Sequence, residues 1–169
     1  MSLITNRRKR MNRVFELQRA LLRVIDKYAA EIPDERRDQP ADWERVHMAS
    51  AGRMGSILAE KRGEDPEIAA CACSVHDFGR ILTGKQPGHA EAGYEPVREF
   101  LRGLGLFTED EIEEIALAVR HHSEKAEVGT PLQEIVKDAD ILDFYQYGYE
   151  FQRQEQKDRL TKLIRKEES

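Results

Sequence analysis

The residues that could do chemistry gather around one stretch, Val75-His76-Asp77-Phe78-Gly79-Arg80. An adjacent His-Asp pair at the end of an apolar helical run offers a nitrogen and a carboxylate oxygen to one point. Zinc, manganese, iron and cobalt ions all accept that mixed donor set. The dipeptide alone says little, so the positions of the other four histidines decide. Trp43, His47, Ser50, Met54 and Ile57 fall along one helical face, which turns His47 toward apolar neighbours. Ile112, Ile115, Val119 and His122 do the same, with His121 a step around. Leu132, Val136, Asp140 and Phe144 make a four-spaced ridge that carries Asp140 inward. An unpaired carboxylate in a core costs several kcal/mol, so it calls for a cation, donors or water. Taken singly, each histidine reads as a hydrogen-bonded core residue, His89 as a helix-start residue, and Asp140 as a cap or an arginine partner. Taken together, His47, His76, Asp77, His122 and Asp140 lie near helix faces and ends that can meet in one bundle core, a common place for His and carboxylate metal sites.

The elements that must position them read as helices throughout. Val14, Leu17, Leu21, Val24, Ile25 and Tyr28 predict an amphipathic helix, and Glu31 to Ala41 a connector with two prolines. A second helix is expected from about Asp42 to Arg62, closed by Gly63. Asp65-Pro66-Glu67 opens a third that ends near the His-Asp pair. Gly84 to Gly88 is a loop. His89 to Leu104 is helical, and Thr108/Glu111 and Thr130/Gln133 are capping boxes for two more helices. Beyond Gln152 the text is mostly charged, with Leu160, Leu163 and Ile164 to dock it. No segment alternates with period two, so the fold class is all-α, a helical bundle. One domain over residues 1–169 is expected, with a motif-bearing core of about 42–150, an N-terminal helix of about 8–30 and a charged C-terminal helix of about 151–168.

Composition narrows the function classes. At 40% hydrophobic and 35% charged, the chain is globular rather than disordered. A net charge of −5 argues against a surface that coats nucleic acid. No apolar run approaches a membrane span, and the segment after Arg7, Arg8, Lys9 and Arg10 is too charged for a signal peptide. That basic cluster reads as a solvated first helical turn. Cys71 and Cys73 project about 200° apart on a helix, so they are read as buried reduced thiols of a cytoplasmic protein.

These residues resemble the HD-domain superfamily, whose pattern is a histidine, a His-Asp doublet on a later helix, and a more distant aspartate. Here those are His47, His76-Asp77 and Asp140. His76-Asp77-Phe78-Gly79-Arg80 is similar to the family's His-Asp-aliphatic-Gly-Lys/Arg stretch, although Phe78 replaces a smaller aliphatic residue, a change that bears on packing rather than ligation. Val119-Arg120-His121-His122-Ser123 resembles its Ile-x-x-His motif, which favours His122 and leaves His121 in reserve. Asp138-Ala139-Asp140-Ile141-Leu142-Asp143 resembles its Asp-Ala-Asp-x-Leu-Asp motif. His89-Ala90-Glu91-Ala92-Gly93 is similar to the His-x-x-x-Gly element of members that hold two metals.

The resemblance implies a metal-dependent phosphohydrolase that cleaves a small phosphoester, such as a nucleotide, with a metal-activated water. It implies His47, His76, Asp77 and Asp140 at a first ion, and His89 and His122 at a second with Asp77 bridging. Manganese, iron, cobalt, nickel, zinc and magnesium all remain open, as do one ion or two. Asp77, Arg80 and Lys85 are the catalytic candidates, with Lys125 a further cation for phosphate. Asp138 and Asp143 could orient ligands. Phe144-Tyr145-Gln146-Tyr147 could line a ring pocket or fill the core. The expected partner is a small phosphorylated molecule, with no membrane, no clear nucleic acid, and the oligomeric state open. The alternatives are a diiron oxygenase on the same scaffold and a non-catalytic module stapled by metal.

Overall fold

A computed structural model describes the backbone of residues 3–167 and the side chains of residues 13–165. Among these residues there are eight α-helices, one short 3-10 turn and no strand. The Arg7–Arg10 side chains lie outside those described.

Helix α1, Leu3–Glu31, lays Leu17, Leu21 and Ile25 fully buried against its neighbours. A 3-10 turn at Asp34–Arg36 leads to α2, Ala41–Arg62, which ends at Gly63 with φ 75°. Only glycine takes that left-handed conformation without strain. Helix α3, Pro66–Val75, starts where the Asp65 carboxylate accepts the Glu67 and Ile68 amides, and every residue from Glu67 onward is buried. A helix buried all round belongs at a bundle centre, and α1, α2, α6 and α7 all pack on it. Burial pushes the Cys71 thiol on this helix up to about 12 and raises that of Cys73 as well.

Asp77 interrupts the helical run, and a six-residue helix, α4, follows at Phe78–Thr83. Sequence periodicity is silent on so short a segment. Helix α5 covers His89–Leu104, α6 Glu109–His121 and α7 Pro131–Gln146, and both expected capping boxes are formed. Helix α8, Gln154–Glu167, packs on α7. No described helix is long and apolar enough to cross a membrane.

The ridge expected to bury α2 needs correcting. Trp43 and Met54 are half-buried and Ile57 is exposed, while the deeply buried positions are Ala41, Glu44, His47, Met48, Ala51, Gly52, Gly55, Leu58 and Ala59. Small residues dominate because α2 meets α3 closely. A Cβ at Gly55 would strike Cys73 Sγ, and hydrophobicity does not flag such a face. A second close approach sets the site: a Cβ at Gly79 would collide with the His89 carbonyl, so glycine there lets α4 carry Asp77 up to the start of α5. Phe78 beside it is buried and packs 5.1 Å from Phe100 between ring centres, as expected of a packing residue.

Candidate metal centre

Each candidate donor arrives from a different helix end or face. His47 comes from the middle of α2, the His76-Asp77 pair from the α3–α4 junction, and His89 from the first residue of α5. His122 follows the last turn of α6, and Asp140 lies on α7. All six are buried. Around one point, His47 Nε2 lies 3.1 Å from His76 Nε2, 3.2 Å from Asp77 Oδ2 and 3.3 Å from Asp140 Oδ1. His76 Nε2 is 3.2 Å and 3.3 Å from the same two oxygens. Around a second point, His89 Nε2 is 2.9 Å from His122 Nε2 and 3.0 Å from Asp77 Oδ1, and His122 Nε2 is 3.5 Å from that oxygen. Asp77 thus turns one oxygen to each group.

These spacings test whether an ion fits. Donors about 2.0–2.1 Å from one ion stand about 2.8–3.0 Å apart in octahedral and about 3.3–3.4 Å apart in tetrahedral geometry, and the observed separations of 2.9–3.5 Å lie close to that span. Protonation gives a second test. The Nδ1 atoms of His76, His89 and His122 each sit 2.6 Å from a main-chain carbonyl, those of Cys73, Gln86 and Val119. A carbonyl only accepts, so each Nδ1 carries a proton, and each ring, when neutral, turns its Nε2 lone pair inward. Two lone pairs facing at 2.9 Å between His89 and His122 repel unless a cation or an extra proton lies between them. Asp140 Oδ1 adds a third sign, being buried without a hydrogen-bond donor. The donor set therefore suits one or two divalent ions. Among the described residues, His47, His76 and Asp140, and likewise His76, Asp77 and His122, offer donor atoms within 4.8 Å of one another.

Without an ion, protons take its place. Burial opposes charge on His47, yet Asp140, Asp143 and Asp77 hold its pKa well above the ordinary value. His76 rises to about 9 against the same burial, drawn by Asp77 and Asp140. Burial instead pushes His122 down to about 3, with His76 and His89 adding repulsion. Burial also opposes ionisation of Asp77 and Asp140, but Arg80 and His76 hold the first, and Lys125 with His47 and His76 the second, well below the carboxylate range.

The supporting residues separate from the expected ones. Asp143 accepts from His47 Nδ1 at 2.6 Å and from Ser50 Oγ at 2.8 Å, so it orients that ring as expected. Asp138 instead joins Arg62 and Arg159. Arg80 lies beside Asp77, but its fork is engaged by Asp77 and by Glu44, with Nε 2.8 Å from Glu44 Oε1. Glu44 is buried and was not singled out from the sequence. Its one local signal is the step of three to His47. Lys85 is not brought to the cluster. Its side chain is 56% exposed, and Nζ reaches the Arg36 carbonyl and Asp38 at the connector. His121 also stays outside, half-exposed and 2.8 Å from Glu124. Lys125 is the cation that does arrive, buried with Nζ 2.6 Å from Asp140 Oδ2.

A cavity of about 740 Å³ opens onto this centre. Asp77, His89, His122, Lys125 and Asp140 line it on one side. Phe144, Tyr149 and Phe151 supply aromatic wall, and Arg120 and Arg153 further charge. Tyr145 and Tyr147 are instead exposed.

An all-helical core carries a buried His/Asp cluster that fits a metal site beside an open cavity. The family model that matches the chain is the HD domain, over residues 46–145, and the chain belongs to that family. Members are generally metal-dependent hydrolases. Comparison with curated proteins and with solved structures gives no match.

Proposed function

We propose that the protein is a metal-dependent phosphohydrolase acting on a small phosphoester with a planar ring, such as a nucleotide. The observation that carries this reading is the shared carboxylate: Asp77 serves both donor groups at the edge of an open cavity that also holds Lys125. His47, His76, Asp77 and Asp140 are assigned to one ion, and His89, His122 and Asp77 to a second. Divalent ions in such positions acidify water and offset developing charge on phosphoryl oxygens. The protein's own part is orientation. Four Nδ1 contacts of 2.6 Å fix the four rings, and Arg80 holds the Asp77 carboxylate. The Lys125 ammonium neutralises the outer oxygen of Asp140 and offers charge to a phosphate oxygen.

Charge on the wall supports a single phosphate group rather than a chain of three. Arg80 is committed to Glu44 and Asp77, Arg120 lies 2.8 Å from Glu91, and Arg153 lies 3.3 Å from Glu155. Phe144, Tyr149 and Phe151 offer faces on which a ring can stack. A diiron oxygenase needs the same six donors. The Lys125 ammonium beside the donors favours hydrolysis, and an iron-dependent absorption with oxygen uptake would reverse that preference. The test is turnover of a phosphoester panel with added manganese, cobalt, zinc, iron, nickel or magnesium. Turnover should depend on metal and be lost in His76→Ala. A panel with no metal-dependent turnover in the wild type would sink the proposal.

A further inference from the structure

Helix α8 lies beyond the residues that match the family, yet one of its side chains reaches into the site's support. Arg159 is mostly buried, with 12% of its side chain exposed. Its Nε and Nη2 donate to the Lys125 carbonyl at 3.1 Å and 2.9 Å. Its Nη1 donates to Glu134 at 2.8 Å and to Asp138 at 2.7 Å, both on α7. Asp138 is held from the other side by Arg62 of α2 at 2.7 Å. One guanidinium thus pins the backbone of Lys125 to the helix that carries Asp140.

The consequence runs along four atoms. With its backbone fixed, Lys125 brings Nζ to 2.6 Å from Asp140 Oδ2 and 3.5 Å from the Lys137 carbonyl. That engages the outer carboxylate oxygen and leaves Oδ1, buried without a donor, turned to His47 and His76. We propose that Arg159 is a positioning residue for the metal ligand Asp140, acting through the Lys125 carbonyl and ammonium, so that the tail helix is part of the metal site. The proposal rests on the metal-site reading above but not on hydrolysis.

The test is manganese binding by calorimetry on the full-length protein, with thermal melts in parallel, for Arg159→Ala, Arg159→Lys, Lys125→Met and the double variant Lys125→Met/Arg159→Ala. Partners that orient metal ligands are worth about 10–100-fold in affinity, and a loss of about 10-fold is expected in Arg159→Ala. Arg159→Lys keeps a charge for Glu134 and Asp138 but cannot also place two donors on the carbonyl. It should melt close to wild type and still bind more weakly. In the Lys125→Met background, removing Arg159 should cost no further affinity, because the route is already cut. Independent, multiplying losses would overturn the proposal, as would wild-type or tighter binding in both Arg159 variants. A wild type that binds manganese as described but hydrolyses nothing would remove the hydrolase reading and leave this one standing. A wild type that takes up none of manganese, iron, cobalt, nickel, zinc and magnesium would overturn both.

Discussion

Glu44 provides the sharpest test of how the centre is built. It is 1% exposed, as is Arg80, and the two form a fork of 2.8 Å and 3.1 Å. The Arg80 guanidinium has three partners, Glu44, Asp77 and the Gln86 side-chain oxygen at 2.8 Å. Truncation in Glu44→Ala removes two of its charge-assisted hydrogen bonds and one of its two counter-charges. Breaking a buried ion pair from one side costs about 3–5 kcal/mol, because the remaining charge stays in the core. For a chain of this size each kcal/mol lowers Tm by about 2–4 °C, so a fall of about 10 °C is expected. The assay is thermal unfolding in chelator, which excludes metal from the comparison. The double variant Glu44→Ala/Arg80→Met supplies the control. It removes the stranded charge and should lose less than the sum of the two single changes. A fall below about 2 °C in Glu44→Ala, or strict additivity in the double variant, would refute the claim that Arg80 is held by Glu44 as a buried pair.

Three further outcomes follow from the cluster. Because His47 and His76 are raised, the stability they lend the metal-free protein is fully present below the unfolded value of about 6.5 and is lost as pH rises above it, the part due to His76 as pH climbs through about 9. Metal affinity should move the opposite way, strengthening from pH 6 to 9 with protons released on binding. Calorimetry in buffers of different ionisation enthalpy reads that release, and a pH-independent affinity would contradict it. Elemental analysis of protein purified without chelator should find about two ions per chain, falling toward one in His89→Ala and unchanged in His121→Ala. Equal losses in both variants would mean that the second group is misassigned.

What could be read from the sequence was what is local. Capping boxes at Thr108 and Thr130 and the aspartate cap at Asp65 all use residues two or three apart, and all three formed. Five of the six side chains that meet at the centre were legible because each sits in a short motif whose neighbours mark it, while His47 was marked only by its helical face and its order in the chain. What stayed hidden depends on distant pairing. Glu44 and Arg80 are separated by 36 residues and Arg159 and Lys125 by 34, and no periodicity links them. Glu44 stands between Trp43 and Arg45, in text that reads as solvated helix. The α2 face was misjudged for a related reason: a close helix contact selects glycine and alanine, which a search for large apolar residues passes over. Lys85 and Lys125 look alike as loop lysines, and only packing sends one to Asp38 and the other to Asp140.

The third reading, a metal that only staples the bundle, can be weighed on access. Structural metal sites are closed by their protein donors, whereas catalytic ones keep a position open. His47 and His76 lie behind the centre and do not line the cavity, so the first donor group is closed on that side. Asp77, His89, His122 and Asp140 do line it, and the second group has three protein donors where four would close it. A staple gains nothing from a cavity of about 740 Å³ over its ligands. Nor does a staple need a buried ammonium, that of Lys125, at the cavity wall beside its ligands. Both features make sense where an anionic group must approach the ions from the cavity and find positive charge beside them.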